Sequence, residues 1–281
     1  MNIVLGTAQL MESYGLAKKK LTKDDLTKIL QIAKKKNYNF IDTALAYKHV
    51  DQKLSCLDLK SFKIFTKVKN LQKKTTIQDL ERSKKTLNIK KFHTIFLHNE
   101  KELISKKDKN NFKRLNALKR SNLTKYIGIS SYSKKNTINI INKFKIDALQ
   151  LPLNLFDRRF LDKDFLAIVK KKKIKLYFRS IFLQGTLINK KLHKKEKKLS
   201  RSKYFKDYYK WLKITKNKPV EVIMNFLKQN RIKSAIIGVS NKIEYQEIIK
   251  NTNSFKKIEI PNFNIRQTDN NYIYRTDYWK I

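Results

Sequence analysis

The strongest constraint on what this chain can fold into is an alternation. Short apolar runs are separated, again and again, by longer amphipathic, lysine-rich ones. Eight short runs read as strands: Ile3–Leu5, Tyr38–Ile41, Phe62–Val68, Thr94–Leu97, Tyr126–Ile129, Ala148–Leu153, Lys175–Phe178 and Ser234–Val239. The intervening stretches carry helical spacing: Thr22–Lys36, a short one near Val50–Leu57, Thr75–Leu87, Asp108–Arg120, Lys134–Phe144, Asp162–Lys172, Pro219–Gln229 and Lys242–Lys250. Several have start signals. Thr22 precedes Asp24 and Asp25, an N-cap with a negative first turn. Thr76 with Asp79 resembles a capping box, and Pro219 suits a first helical turn. Strand–helix alternation implies parallel βαβ units, and eight of them close into a barrel. The expected fold class is therefore α/β, a (β/α)₈ barrel in one domain over residues 1–281. An open doubly wound sheet competes, but no glycine-rich fingerprint follows the first strand.

Charge bears on partners. The 66 Lys+Arg against 23 Asp+Glu give a net charge of +43. Such a balance points to nucleic acid or an anionic surface, or to compositional drift of an AT-biased coding sequence. Lysines scattered through nearly every helix, with no concentrated stripe, favour drift. No specific nucleic-acid partner is expected, and weak non-specific binding at low salt is compatible with the charge. No apolar run reaches membrane-spanning length, so no membrane partner is expected. Met1–Gln9 lacks the basic start of a signal peptide. The single cysteine, Cys56, forms no intramolecular disulfide and suits a reducing, cytoplasmic location. Glycine is scarce, at five residues. Gly6, Gly128, Gly185 and Gly238 fall in or near strand ends, where a side chain would be hard to fit.

Two segments depart from the regular alternation. The connection Ile188–Lys218 is too long for an ordinary βα loop. Its first half, Asn189–Lys203, reads as a flexible basic segment. Its second half, with Phe205, Tyr208, Tyr209 and Leu212 at helical spacing, reads as an amphipathic helix packed near the barrel mouth. A tether and a lid are equally compatible with this. The tail Phe263–Ile281 holds Arg266, Tyr272, Tyr274, Arg275, Tyr278 and Trp279, which would either cross the mouth or pack on the barrel wall.

In such a barrel, side chains at strand C-terminal ends converge on one face. The second strand ends at Asp42, with Tyr47 in the loop beyond. The third brings Lys67 to its end, and the fourth ends in His98. His49 is a weaker competitor for the mouth. The set has a definite chemistry. A lysine near the phenol favours phenolate, a carboxylate holds the lysine, and an imidazole hydrogen-bonds a substrate oxygen. Together they would move a proton at an oxygen whose carbon gains or loses hydride.

The ordered motifs Leu5-Gly6-Thr7-Ala8-Gln9, Phe40-Ile41-Asp42-Thr43-Ala44 with Tyr47, Phe65-Thr66-Lys67-Val68, Phe96-Leu97-His98-Asn99, Ile127-Gly128-Ile129-Ser130, Ala148 to Leu155, Arg179-Ser180-Ile181-Phe182-Leu183-Gln184-Gly185 and Ile236-Ile237-Gly238-Val239-Ser240 resemble aldo/keto reductases over nearly the whole chain. The resemblance implies a barrel oxidoreductase, reducing an aldehyde or ketone with NADP, or alternatively NAD. Asp42, Tyr47, Lys67 and His98 match the family's catalytic tetrad, with Tyr47 as general acid. The resemblance assigns Gly6, Ser130, Gln150, Arg179, Ser180, Leu183, Gly185, Gly238 and Ser240 to the cofactor. Within that set, Ser130 and Gln150 match carboxamide positions, and Arg179 falls where an aromatic often stacks on the nicotinamide. Ser180, Leu183 and Gly185 fall in the loop at the pyrophosphate, and Gly238 and Ser240 at the adenosine phosphate. The Arg179–Gly185 stretch is similar to bacterial members associated with sugar metabolism, so the expected partner is a small, sugar-related carbonyl compound.

Departures from the family pattern sharpen the expectations. Ser131 stands where asparagine is usual, and Lys48 where glycine usually follows the tyrosine. Val50–Leu54 keeps the usual Ser-Glu pattern only loosely. Glu244 stands where an arginine often grips a 2′-phosphate. It would repel that phosphate and favour NADH unless Lys242 compensates. The alternative function is a non-catalytic cofactor-sensing or interaction protein on the same barrel.

Overall fold

The computed structural model describes residues 1–11, 16, 21–73, 75–195, 197–254, 256–265 and 279. Eight strands close into an all-parallel barrel: β1 (Asn2–Gly6), β2 (Phe40–Asp42), β3 (Lys63–Val68), β4 (Phe92–Leu97), β5 (Thr124–Ser130), β6 (Ala148–Pro152), β7 (Lys175–Arg179) and β8 (Ser234–Ile237). Each strand pairs with its sequence neighbour, and β1 with β8 closes the ring. The helices are α1 (Lys23–Lys35), α2 (Val50–Ser55), α3 (Thr76–Thr86), α4 (Asp108–Arg120), α5 (Lys134–Lys143), α6 (Lys163–Lys171), α7 (Lys190–Lys194), α8 (Lys197–Ser200), α9 (Lys203–Thr215), α10 (Pro219–Gln229) and α11 (Lys242–Asn253). The expected (β/α)₈ architecture is present, with every expected strand found and boundaries shifted by one or two residues at most ends.

Alternating strand residues divide the apolar interior into two parts. One set faces the helices: Ile3, Ile41, Ile64, Ile95, Ile127 and Leu149 are all essentially inaccessible. The other fills the barrel itself with Val4, Phe65, Phe96, Ala148, Tyr177 and Ile236. The rings of Phe65, Phe96 and Tyr177 meet edge-on, Phe65 to Tyr177 at 4.7 Å and Phe65 to Phe96 at 5.8 Å between centroids. Such contacts contribute about 0.5–1.5 kcal/mol each beyond burial. Gly128 makes room for this filling, since a Cβ there would sit 2.5 Å from Phe96. The barrel interior is thus filled with side chains and is not a pore.

Helix caps largely follow the sequence signals. Thr22 accepts from the Asp25 amide at 3.1 Å, and Pro219 opens α10. At α3 the cap lies one residue earlier than expected. Thr75 Oγ1 donates to the Asp79 carboxylate, while Thr76 turns inward to donate to the Asn70 carbonyl.

The long connection is more ordered than its composition suggested. The basic half forms α7 and α8 instead of a flexible tether, anchored by the buried Leu192 and Leu199. The expected amphipathic helix is α9, and its aromatic face serves the β7 loop directly. Tyr208 Oη donates to the Leu187 carbonyl at 2.9 Å and Tyr209 Oη to the Thr186 carbonyl at 2.5 Å. The start of the tail closes over this helix. Phe263 packs edge-on against Tyr208 and Trp211, and the Ile265 amide donates to the Phe156 carbonyl. Of the aromatic tail residues, Trp279 is buried. Arg266, Tyr272, Tyr274, Arg275 and Tyr278, like Gly15, lie outside the described residues.

Candidate active site

At the C-terminal end of the barrel, β2 to β4 bring three side chains together. Asp42 ends β2, Lys67 is the penultimate residue of β3, and His98 follows β4 directly. The register pairs Asp42 with Phe65 and Lys67 with Phe96, which puts these ends at one level. Tyr47 comes from a turn fixed at both ends. The Leu45 amide donates to the Lys67 carbonyl and the Tyr47 amide to the Ala44 carbonyl. The left-handed residue of this loop is His49, at φ 60°. Lys48 is not left-handed, so the lost glycine causes no backbone strain at that position.

The Lys67 ammonium donates to Asp42 Oδ2 at 2.5 Å and to the Thr43 carbonyl at 2.9 Å. Both side chains are almost wholly buried. Gln150 Nε2 donates to the other oxygen, Asp42 Oδ1, at 2.6 Å. The carboxylate is thereby satisfied on both sides, as a buried charge requires. Lys67 Nζ also lies 5.4 Å from the centroid of the Tyr47 ring, and that ring meets His98 edge-on at 6.4 Å.

Burial shapes the protonation of the whole group. It raises the Tyr47 phenol above the ordinary tyrosine value, the Asp42 charge raises it further, and the Arg179 guanidinium opposes both. The expectation that Lys67 would lower the phenol is therefore corrected: desolvation outweighs the cations, and Tyr47 stays a proton carrier across neutral pH. Burial also lowers the Lys67 ammonium, against the raising effect of Asp42. His98 is pushed down to about 3, first by burial and then by Lys67, Arg179 and Lys69. Its imidazole is neutral and offers one N–H and one lone pair.

Tyr47, Lys67, Asp42 and His98 border one cavity of about 600 Å³. Of the residues assigned to the cofactor, Gly6, Ser130, Arg179, Ser180, Gly185, Gly238 and Ser240 also line it. Gln150 and Leu183 do not. Gln150 sits beneath Asp42 with its Oε1 buried and unpartnered, and Leu183 faces the core. His49 does not line the cavity; it bonds Gln52 and borders a separate depression of about 440 Å³.

Arg179 is held by neutral acceptors. Its Nε donates to Ser130 Oγ at 3.2 Å, and its guanidinium lies 4.0 Å from the centroid of the Tyr132 ring. Beyond it, Ser180, Leu183, Gln184 and Gly185 all adopt positive φ, between 48° and 84°. Three of these four carry side chains, so the loop is strained, and strain of this kind concentrates at ligand sites. At Gly238 an added Cβ would meet the end of the Gln9 side chain, which would have to move aside. The sequence reading missed Tyr132, Gln9, Lys191 and Lys195 as wall residues. Tyr132 stands two residues beyond Ser130, the one positional hint available. Lys191 and Lys195 stand four apart on and just after α7, with nothing to distinguish them among so many lysines.

The family model of the aldo/keto reductases, described as "Aldo/keto reductase family", matches residues 2–268. The chain belongs to this family. It is accordingly an NAD(P)-dependent oxidoreductase by descent. Among solved structures, the glycerol dehydrogenase from Gluconobacter oxydans superposes with a TM-score of 0.70 at 14% identity, covering 91% of this chain and 87% of that one. The holo form of an aldo-keto reductase from Bacillus halodurans gives 0.69 at 14% identity, covering 92% and 88%. A mutant Gox0644 in complex with NADPH gives 0.63 at 16% identity, covering 91% and 85%. These low identities establish a shared fold. A search of curated proteins finds no match. Among the described residues, no helix is long and apolar enough to cross a membrane, and no cluster suited to a metal ion occurs.

Proposed function

We propose that the protein reduces a small, sugar-related aldehyde or ketone to its alcohol with NADPH or NADH, Tyr47 supplying the proton. One observation carries this reading: a buried Asp42–Lys67 ion pair, its carboxylate bonded on both oxygens, faces the same cavity as a protonated phenol and a neutral imidazole. NADPH is the cofactor seen with the structurally similar Gox0644.

The residues present fit a dinucleotide. The cavity is long enough to join the tetrad to the ends of β7 and β8, and its wall combines serine hydroxyls, a strained left-handed loop and two lysines. Ser130, Arg179 and the loop Ser180–Gly185 would hold the cofactor, with Gly238 and Ser240 at its far end. Gln150 acts from behind the wall in this reading, by fixing Asp42. When bound, the cofactor supplies hydride to the carbonyl carbon.

The chain's own groups do the rest. His98 Nε2–H donates to the carbonyl oxygen and sets its approach, which a neutral imidazole can do without competing for the proton. As hydride reaches carbon, the Tyr47 hydroxyl proton moves to the developing alkoxide. The tyrosinate left behind faces Lys67 and Arg179, whose charges favour it at that moment. Asp42 keeps Lys67 charged and in place throughout. A proton from solvent restores the phenol.

The test uses NADPH and NADH, each deuterated at the transferring carbon, with a panel of simple aldehydes, aldoses and ketoses. Deuterium should appear on the carbinol carbon of the product, one per cofactor consumed. If the pure protein binds either dinucleotide but transfers no deuterium to any carbonyl compound, the catalytic reading fails.

A further inference from the structure

The cavity that begins at the tetrad runs on to the start of α11, where Gly238, Ser240 and Glu244 form its wall. A helix N-terminus normally attracts an anion through its free amides and its dipole. Here the chain has filled that position with its own negative charge. Asn241 caps the helix, accepting from the Glu244 amide at 2.9 Å. Glu244 reaches back, its Oε2 accepting from the Ser240 amide at 2.8 Å and its Oε1 from Asn241 Nδ2 at 3.5 Å. From the neighbouring helix α1, Asp25 Oδ1 accepts from the Lys242 amide at 3.0 Å. Three of the amides at this helix start are therefore spoken for, two of them by carboxylates. Among the described residues no salt bridge joins a cation to Glu244 or to Asp25, and Lys242 reaches neither.

We propose that Glu244 makes this enzyme discriminate in favour of NADH over NADPH. The inference rests on the reading of the cavity as a dinucleotide site with the nicotinamide at Tyr47. With that end fixed, the adenosine half extends toward α11. A ribose 2′-hydroxyl is a donor, and Glu244 is an acceptor facing the cavity; an acidic side chain bonding that hydroxyl is a general solution for NAD recognition. A 2′-phosphate offers no donor. It would meet the Glu244 carboxylate directly and Asp25 just behind, at amides that are already occupied. Rejection is thus built from a like charge that no direct salt bridge neutralises as well as from a lost hydrogen bond.

Titration of the full-length protein with NADH and with NADPH, followed by quenching of tryptophan fluorescence, tests this without turnover. The expected Kd for NADH is lower by about tenfold or more, the effect of one poorly screened like-charge contact. Glu244→Gln keeps an acceptor for the Ser240 amide and should shrink the ratio to within about threefold, mainly by tightening NADPH. Glu244→Arg should invert it, and Asp25→Asn should move it in the same direction by less. Equal or tighter binding of NADPH by the native protein overturns the inference while leaving the oxidoreductase reading intact. An unchanged ratio in Glu244→Gln does the same. Binding of neither dinucleotide overturns the reading of the cavity, and the inference with it.

Discussion

Strand β4 carries a histidine at each end, and the two differ in what surrounds them. His93 lies near the N-terminal end and His98 just beyond the C-terminal end. Burial lowers both below the ordinary value of 6.5, His93 to about 4 and His98 to about 3. Lysines assist in both cases: Lys175, Lys63 and Lys125 at the bottom, Lys67 and Lys69 at the top together with Arg179. By protonation alone the two ends look alike. Their neighbours separate them. His93 is packed among the rings of Phe40, Phe65 and Tyr126, with centroids 5.1–5.3 Å away, and its Nδ1 pairs with Thr94 Oγ1. His98 faces a cavity, a phenol and a buried ion pair, and its Nδ1 has no partner. A perturbed histidine marks a site only when open space and complementary groups accompany it.

The largest expected effect that would break this contrast lies at the top. Lys67→Met leaves Asp42 buried with only Gln150 for company, and removing one partner of a buried pair costs about 3–5 kcal/mol. Chemical denaturation should show that loss, and reductase activity should disappear with it. His98→Gln is gentler on the fold, since the side chain borders open space. It should lower kcat/KM by about 10²-fold, the usual cost of one donor to a developing oxyanion. Steady-state kinetics with a good carbonyl substrate would show whether the imidazole is only filling space.

The bottom histidine gives the smallest effect and a pH signature. His93 is neutral in the folded state, so between 6.5 and about 4 the unfolded chain binds a proton that the folded chain does not. Its contribution to stability is therefore complete above 6.5 and is lost as the pH falls toward about 4. His93→Gln should flatten the dependence of Tm on pH in that window and cost about 1 kcal/mol in ring contacts. Activity at neutral pH should stay within about twofold of native, as expected away from the catalytic face of a barrel. A large drop in kcat for this variant would erase the distinction between the two ends.

Much of the barrel was legible because its strands are short apolar runs bounded by amphipathic helices, a pattern that survives extreme lysine content. The ends of β2, β3 and β4 were legible for the same reason: a polar residue directly after an apolar run has few places to go but the barrel mouth. What was hidden depended on tertiary partners. Order in α7 and α8 hangs on two leucines, Leu192 and Leu199, in a lysine-rich run without visible periodicity. The direction of the Tyr47 shift required knowing how deeply the phenol is buried and that the Asp42 charge lies near it. Gln150 reads as a wall residue from its position, but its side chain is spent beneath Asp42. That Glu244 faces the cavity while spent on an amide cap could be learned only from the fold of the β8–α11 turn.

The central claim is that Tyr47 donates the proton, and Tyr47→Phe addresses it with one oxygen atom removed. Protein fluorescence titration would report cofactor binding, and rapid mixing of the loaded enzyme with a carbonyl substrate would report the chemical step. The account predicts an unchanged Kd for the dinucleotide and a single-turnover rate lower by about 10³-fold or more, within the range of general acid catalysis. A Tyr47→Phe enzyme that binds cofactor and turns over near the native rate would contradict it.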